Sequence, residues 1–276
     1  MNLKMNGVRP LLLCSIMLAC SSAFAVQSPG IVYTSQAIGN NYMDVSHPFY
    51  EVLADASVSK VNVDKVKLGV TSSETDTLVP NNTENWDSWG GRLGMGYNHP
   101  FQRSQSGAVQ WFPSIEPEIN VYHSTYKNKG DVYRFNDAAF NDLTYDMPIH
   151  STRLMFDVAL TVAVWKRLAF FALAGVGNAW NTVSYSDKTK DNDPCPEQRV
   201  SLSSHDNSNL AWEGGVGMKF AVNHRVNLSF EYLYADLGTV KTATSGNTGS
   251  ITTPILTAAN FHLHTQALLF GVTVAV

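Results

Sequence analysis

After residue 25 the sequence has no apolar run of the roughly eighteen residues that a membrane-spanning helix needs. Cysteine is scarce: there are three in 276 residues, and Cys14 and Cys20 fall in an N-terminal segment that reads as removable. Cys195 is then alone and cannot close an internal disulfide, so no stapled framework exists. Its setting, Asp191-Asn192-Asp193-Pro194-Cys195-Pro196, suits an exposed thiol better than a nucleophile. Positive charge is also short. Lys and Arg total 19 against 23 Asp and Glu, for a net charge of −4, and no basic run or stripe offers a nucleic-acid footprint. The sequence contains no nucleophile elbow, zincin helix or phosphate loop. Gly94-Met95-Gly96 lies inside a strand pattern with no helix following, and Asp187, Asp191 and Asp193 lack the glycine and bidentate glutamate of an EF-hand loop. The expectation is a chain without cofactor or resident metal, not an enzyme, and without a nucleic-acid partner.

The N-terminus reads as an export signal. Lys4 and Arg9 precede the apolar run 11–19, and Ala23-Phe24-Ala25 places small residues where signal peptidase reads. Cleavage there makes Val26 the mature N-terminus. Lipidation at Cys20 after Ala19 is the alternative route, which Met17 and Leu18 fit poorly. The expected organisation is a signal peptide over 1–25, a periplasmic lead over 26–48, and a barrel over 49–276.

What the rest contains is alternation. Leu210, Trp212, Val216, Met218, Phe220 and Val222 share one parity, and Asn209, Glu213, Gly215, Gly217 and Lys219 the other. Strand side chains alternate faces, so one face is oily and the other polar or bare. Leu154, Phe156, Val158, Leu160 and Val162 oppose Arg153, Asp157, Ala159, Thr161 and Ala163 in the same way. Six further segments repeat the pattern at 49–62, 88–97, 111–122, 168–185, 226–236 and 261–276. Segment 168–185 is apolar on both parities, and there Gly175 and Gly177 are placed inward. Pro113 and Pro117 predict a bulge or locally broken pairing, because proline cannot donate to the ladder.

The connections 64–85, 127–150, 187–207 and 241–259 are long and polar, whereas 165–167 and 223–225 are tight. The pattern predicts an all-β, eight-stranded antiparallel up-and-down transmembrane barrel with short periplasmic turns and long extracellular loops. A soluble sandwich or lipocalin-like barrel also alternates. Against it stand the glycines on the polar parity, poor material for a soluble surface. Aromatic residues also cluster near segment ends (Trp86, Trp89, Tyr97, Phe101, Trp111, Trp165, Trp180, Tyr232 and Tyr234), as in the girdles of membrane barrels.

The final strand, the run Trp89-Gly90-Gly91-Arg92-Leu93-Gly94-Met95-Gly96-Tyr97, the run Ala174-Gly175-Val176-Gly177 and the loop asymmetry resemble the OmpA-like and opacity-type small outer-membrane barrels over about residues 49–276. The resemblance is architectural. It implies the cell outer membrane as location, lipid and lipopolysaccharide as surroundings, and the barrel-assembly machinery as a partner. The chain departs from the family in ending at Val276 where Phe or Trp is usual, and it carries no peptidoglycan-binding domain after the barrel.

The charges assigned to the interior are Glu51, Asp55, Glu116, Glu118, Asp157, Glu213 and Glu231 against Arg92, Arg153 and Lys219. An eight-stranded barrel is just wide enough for side chains to fill it, so such charges must pair. Arg92 and Arg153 are expected to pair with interior acids, with Glu116, Glu118 and Asp157 nearest by strand order. The reading is a structural plug, in a barrel whose extracellular loops bind host or envelope surface molecules. The acid excess makes a narrow cation-preferring pore the alternative. A lipid A-modifying enzyme is a third reading: His123-Ser124 and His150-Ser151 supply its raw materials, although neighbours on one strand face opposite sides. His262 and His264 share a parity, but the sequence shows no third metal ligand for them.

Overall fold

The computed structural model describes residues 46–62, 66–80, 88–101, 112–165, 167–190, 200–249 and 256–276. The expected signal segment, the lead up to residue 45, Trp86, Trp111, Asp191, Asp193, Cys195 and the side chain of Trp165 lie outside the described residues.

Eight strands form a closed antiparallel ring. In chain order they are β1 (His47–Asn62), β4 (Ser88–Pro100), β5 (Phe112–Tyr133), β6 (Leu143–Trp165), β7 (Leu168–Thr189), β8 (Ser201–Ala221), β9 (Val226–Lys241) and β11 (Asn260–Ala275). Each pairs with the next, and β1 closes the ring against β11 with Phe49 opposite Ala275. The remaining strands, β2 (Val66–Gly69), β3 (Thr75–Pro80) and β10 (Gly246–Asn247), lie within expected extracellular loops.

Facing follows the alternation. Val52, Leu160, Val176, Leu210 and Val216 are exposed on the outer wall, while Glu51, Asp157 and Glu213 are buried inside. Trp89, Tyr97, Phe101, Trp180 and Tyr232 are exposed, in keeping with a girdle of amphipathic rings. In β7 the ambiguity resolves with Phe171, Leu173 and Gly175 inward. Gly175 sits opposite Asp157, and a Cβ there would collide with that carboxylate, so the glycine makes room for a charge.

The prolines of β5 cause no bulge. Pro113 and Pro117 keep unbroken register with β6, opposite Val162 and Val158. The β4 ladder skips the pairs facing Pro117 and Glu116, then resumes in the same register at His99 and Ile115. The missing N–H interrupts pairing on one side only.

The larger departure is at the extracellular end. A tilted spanning strand needs about 9–11 residues, yet β5 to β8 run to 22, 23, 22 and 21. The outer parts of β5, β6 and β8, expected as loops, and the end of β7 past residue 185 remain strands, and in β6 the polarity is inverted. In β6, Leu143, Tyr145, Met147 and Ile149 point inward where Arg153 and Asp157 do lower down. Above β4, β3 takes over as partner of β5, with Thr77 opposite Tyr133. Through β2 the wall then meets the chain before β11 at a bridge between Gly69 and Thr257. The result is a folded head above the membrane whose apolar interior, including Leu68, Leu78, Val132, Tyr185, Val240 and Leu263, is continuous with apolar side chains inside the ring such as Met155 and Leu233.

Candidate functional site

All ten charges assigned to the interior are buried within the ring, each 8% exposed or less. Their partners differ from the sequence expectation. Arg92 holds Glu51 through Nε at 2.7 Å and Glu231 through Nη2 at 2.6 Å. Arg153 faces Glu213 at 3.5 Å, and Lys219 pairs with Glu116. Asp157 and Glu118 instead accept from Asn120 Nδ2, at 2.5 and 3.3 Å, and Asp55 accepts from Ser124 Oγ at 3.1 Å.

Arg92 and Arg153 therefore take none of Glu116, Glu118 and Asp157, and the reason is geometric. Arg92, Tyr122 and Arg153 lie directly opposite one another on β4, β5 and β6. Glu118 and Asp157 sit four residues nearer the periplasm on β5 and β6. Arg92 takes Glu51 from the neighbouring β1 and Glu231 from across the lumen, and Arg153 reaches past β7 to Glu213, so strand order alone does not select the partner. Tyr122 sits between the two cations. Its hydroxyl accepts from Arg92 Nη1 at 2.6 Å, and the Arg153 guanidinium lies 4.0 Å over its ring. The sequence places Tyr122 on the polar parity with Glu116 and Glu118, but alternation does not show its position between two cations.

At the periplasmic end the Lys219 ammonium also lies 5.3 and 5.1 Å over the rings of Phe49 and Phe171. Above the charged zone come Tyr126 and then the apolar core of the head. The lumen of the ring thus mixes ion pairs with apolar side chains such as Leu53, Met155 and Leu233, and apolar side chains dominate in the head.

A second polar cluster ties the head together. Arg134 bridges Glu74 at 3.2 Å and Asp142 at 3.1 Å, and Asp76 accepts from the backbone N–H of Phe135. Asp187 accepts from Val200 N–H at 2.6 Å, a structural use for a residue that had invited a calcium reading. Burial and the nearby Glu74 push the Asp76 carboxyl up to about 7, and burial pushes Asp187 up to about 6. At the turn between β5 and β6, Phe135 and Asn136 adopt left-handed backbone, with φ of 55° and 58°. Phe135 and Phe140 meet edge to face at 5.6 Å and are both exposed.

The histidine–serine pairs separate. Ser124 and Ser151 point inward, opposite each other, while His123 and His150 lie on the outer wall and contact Thr152 and Thr125 at 2.9 and 3.1 Å. His262 and His264 also lie on the outer wall, beside Asp236.

A family model described as outer membrane protein beta-barrel domain matches residues 11–273. A search of curated proteins returned no match. Among solved structures, Neisserial surface protein A is similar at 13% identity and a TM-score of 0.34, over 83% of this chain and 97% of that one. Ail, the attachment invasion locus protein of Yersinia pestis, is similar at 10% identity and 0.32, over 83% and 99%. The outer membrane protease OmpT from Escherichia coli is similar at 10% identity and 0.38, over 83% and 97%.

Proposed function

Because this chain belongs to the outer membrane protein β-barrel domain family, we propose that it is a closed outer-membrane anchor that carries a rigid extracellular head for surface recognition, and that it is neither a pore nor an enzyme. The reading rests on the tip between β5 and β6. Two large aromatic side chains, Phe135 and Phe140, stand in water there on backbone that costs energy to hold. Thr77 Oγ1 donates to Asn136 Oδ1 at 2.6 Å, and the Arg134 ion pairs brace the same turn. Exposed aromatics on a preorganised support suit a contact surface, because little ordering entropy remains to be lost on binding.

The lumen supports the anchor part of the reading. Ion pairs crossing from β4 to β9 and from β8 to β5 occupy the width that a water path would need.

The test compares whole cells carrying wild type or the double variant Phe135→Ser, Phe140→Ser, for attachment to host cells and to envelope components. Attachment should fall in the variant, with the heat-modifiable gel shift of the folded barrel unchanged. Purified wild type should show background conductance in planar bilayers. Equal attachment by both strains, or steady conductance, refutes the corresponding half of the proposal.

A further inference from the structure

We infer that Asp236, His262 and His264 form a binding site for a divalent first-row transition metal ion, of the Zn2+ class, on the outer face of the barrel near its extracellular rim. Three donor atoms from two strands converge there. His262 Nε2 is 2.8 Å from Asp236 Oδ1, and His264 Nδ1 is 3.8 Å from Asp236 Oδ2. All three donors lie within 4.8 Å of one another. Zinc binds imidazole nitrogen and carboxylate oxygen at about 2.0–2.2 Å, which puts tetrahedral donors roughly 3.3 Å apart. The observed separations straddle that figure, so small side-chain rotations would seat the ion.

Local chain geometry assembles the set. Residues two apart on a strand share a face, so His262 and His264 project from β11 together, with ring centres 4.6 Å apart. The β9 strand opposite carries one extra residue: His264 faces Asp236 while His262 faces Thr239. Gly238 takes the left-handed conformation this demands, at φ 77°. The bulge brings Asp236 Oδ1 to Nε2 of His262, and Gly238 N–H donates to the same carboxylate at 2.9 Å.

Supporting contacts exist on both sides. Thr239 Oγ1 lies 3.4 Å from His262 Nδ1, the nitrogen that zinc would leave protonated. Tyr234 stacks on His264 at 5.8 Å and 27°, and in turn contacts Trp212 at 5.5 Å, which fixes the imidazole plane. The Tyr234 hydroxyl lies 2.9 Å from His264 Nδ1, so metal binding replaces that hydrogen bond.

The donor chemistry narrows the ion. Two imidazoles with one carboxylate disfavour Ca2+ and Mg2+, which take oxygen ligands, and match Zn2+ and its neighbours. Three protein donors leave a coordination position for water. His123 and His150, on the same outer wall, face threonines and join no such set among the described residues.

The test uses the full barrel, folded in detergent without a histidine tag. Co2+ titration, read by visible d–d absorption, and Zn2+ competition against a chromophoric chelator should both saturate at one ion per chain. Asp236→Asn, His262→Ala and His264→Ala should each weaken Zn2+ about tenfold or more, with the heat-modifiable shift unchanged. His150→Ala should retain binding, and excess Mg2+ or Ca2+ should not displace Co2+. The proposal is overturned if saturable binding is missing. It is equally overturned if the double variant His262→Ala, His264→Ala binds Zn2+ like wild type, or if His150→Ala abolishes binding.

Discussion

Arg92 on β4 and Glu231 on β9 share two hydrogen bonds across the lumen, Nη2 to Oε2 at 2.6 Å and Nη1 to Oε1 at 3.1 Å, although the two strands are not neighbours in the wall. The same guanidinium holds Glu51 through Nε. One planar fork therefore neutralises carboxylates from two strands, which an ammonium could not do with the same geometry. Arg92→Ala leaves both acids without their cation. Breaking a fully buried pair this way costs on the order of 3–5 kcal/mol, less where lumen water enters. Arg153→Ala loses one acid at 3.5 Å and its stacking on Tyr122, so it should cost less. Urea unfolding from lipid vesicles measures both. Equal stability of Arg92→Ala and wild type would remove the structural role.

Facing can be tested on adjacent residues. Asp157 is fully buried, whereas Phe156 and Leu160 flank Val158 on the outer wall at 51% and 56% exposure. Arginine at the midplane of a barrel's lipid face costs about 2–4 kcal/mol, so Val158→Arg should fold poorly into vesicles. In a background with Cys195→Ser, cysteine at 158 should resist a water-soluble, membrane-impermeant thiol reagent in the assembled protein. Fast labelling would mean that the wall is inside out.

The head should melt separately from the barrel. Ile149 and Leu263 are fully buried in its apolar core, and truncating such residues costs about 2–5 kcal/mol. Leu263→Ala should speed proteinase K cleavage of the head on intact cells while the membrane-embedded strands stay protected. Cleavage at the wild-type rate would show that the core does not stabilise the head.

Head stability should also depend on pH. Asp76 and Asp187 both titrate well above the ordinary carboxylate range in the folded head, mainly through burial. Between the ordinary range and about 7 the folded state holds more protons than the unfolded one, so stability falls as pH rises through that window. Melting of the head, followed by near-ultraviolet dichroism of the stacked Tyr145 and Tyr185, should occur at lower temperature at pH 8 than at pH 5. Asp76→Asn keeps an acceptor for Phe135 N–H and should flatten the trend. A wild-type head more stable at pH 8 would contradict the assignment.

Much of this architecture is legible in the sequence. Strand count, facing and the membrane setting follow from period-two alternation, because an oily parity that must face lipid leaves a polar parity only the lumen. The head escaped notice for a specific reason. In β6 the apolar parity switches between Ile149 and Leu154, and the residues beyond look like polar loop when read for an oily outer face. Water outside, in place of lipid, turns the same alternation inside out. The switch itself can be read from the sequence once it is looked for.

The ring and the inward placement of its ten charges follow from local alternation that each strand carries alone. Which charges pair is a property of the assembled fold. Arg92 meets Glu231 across 139 positions of sequence, and Asp236 joins His262 and His264 through a bulge. The first meeting depends on ring closure and strand stagger, which are properties of all eight strands together, and the second on the register shift between two neighbours. No single strand's alternation encodes them.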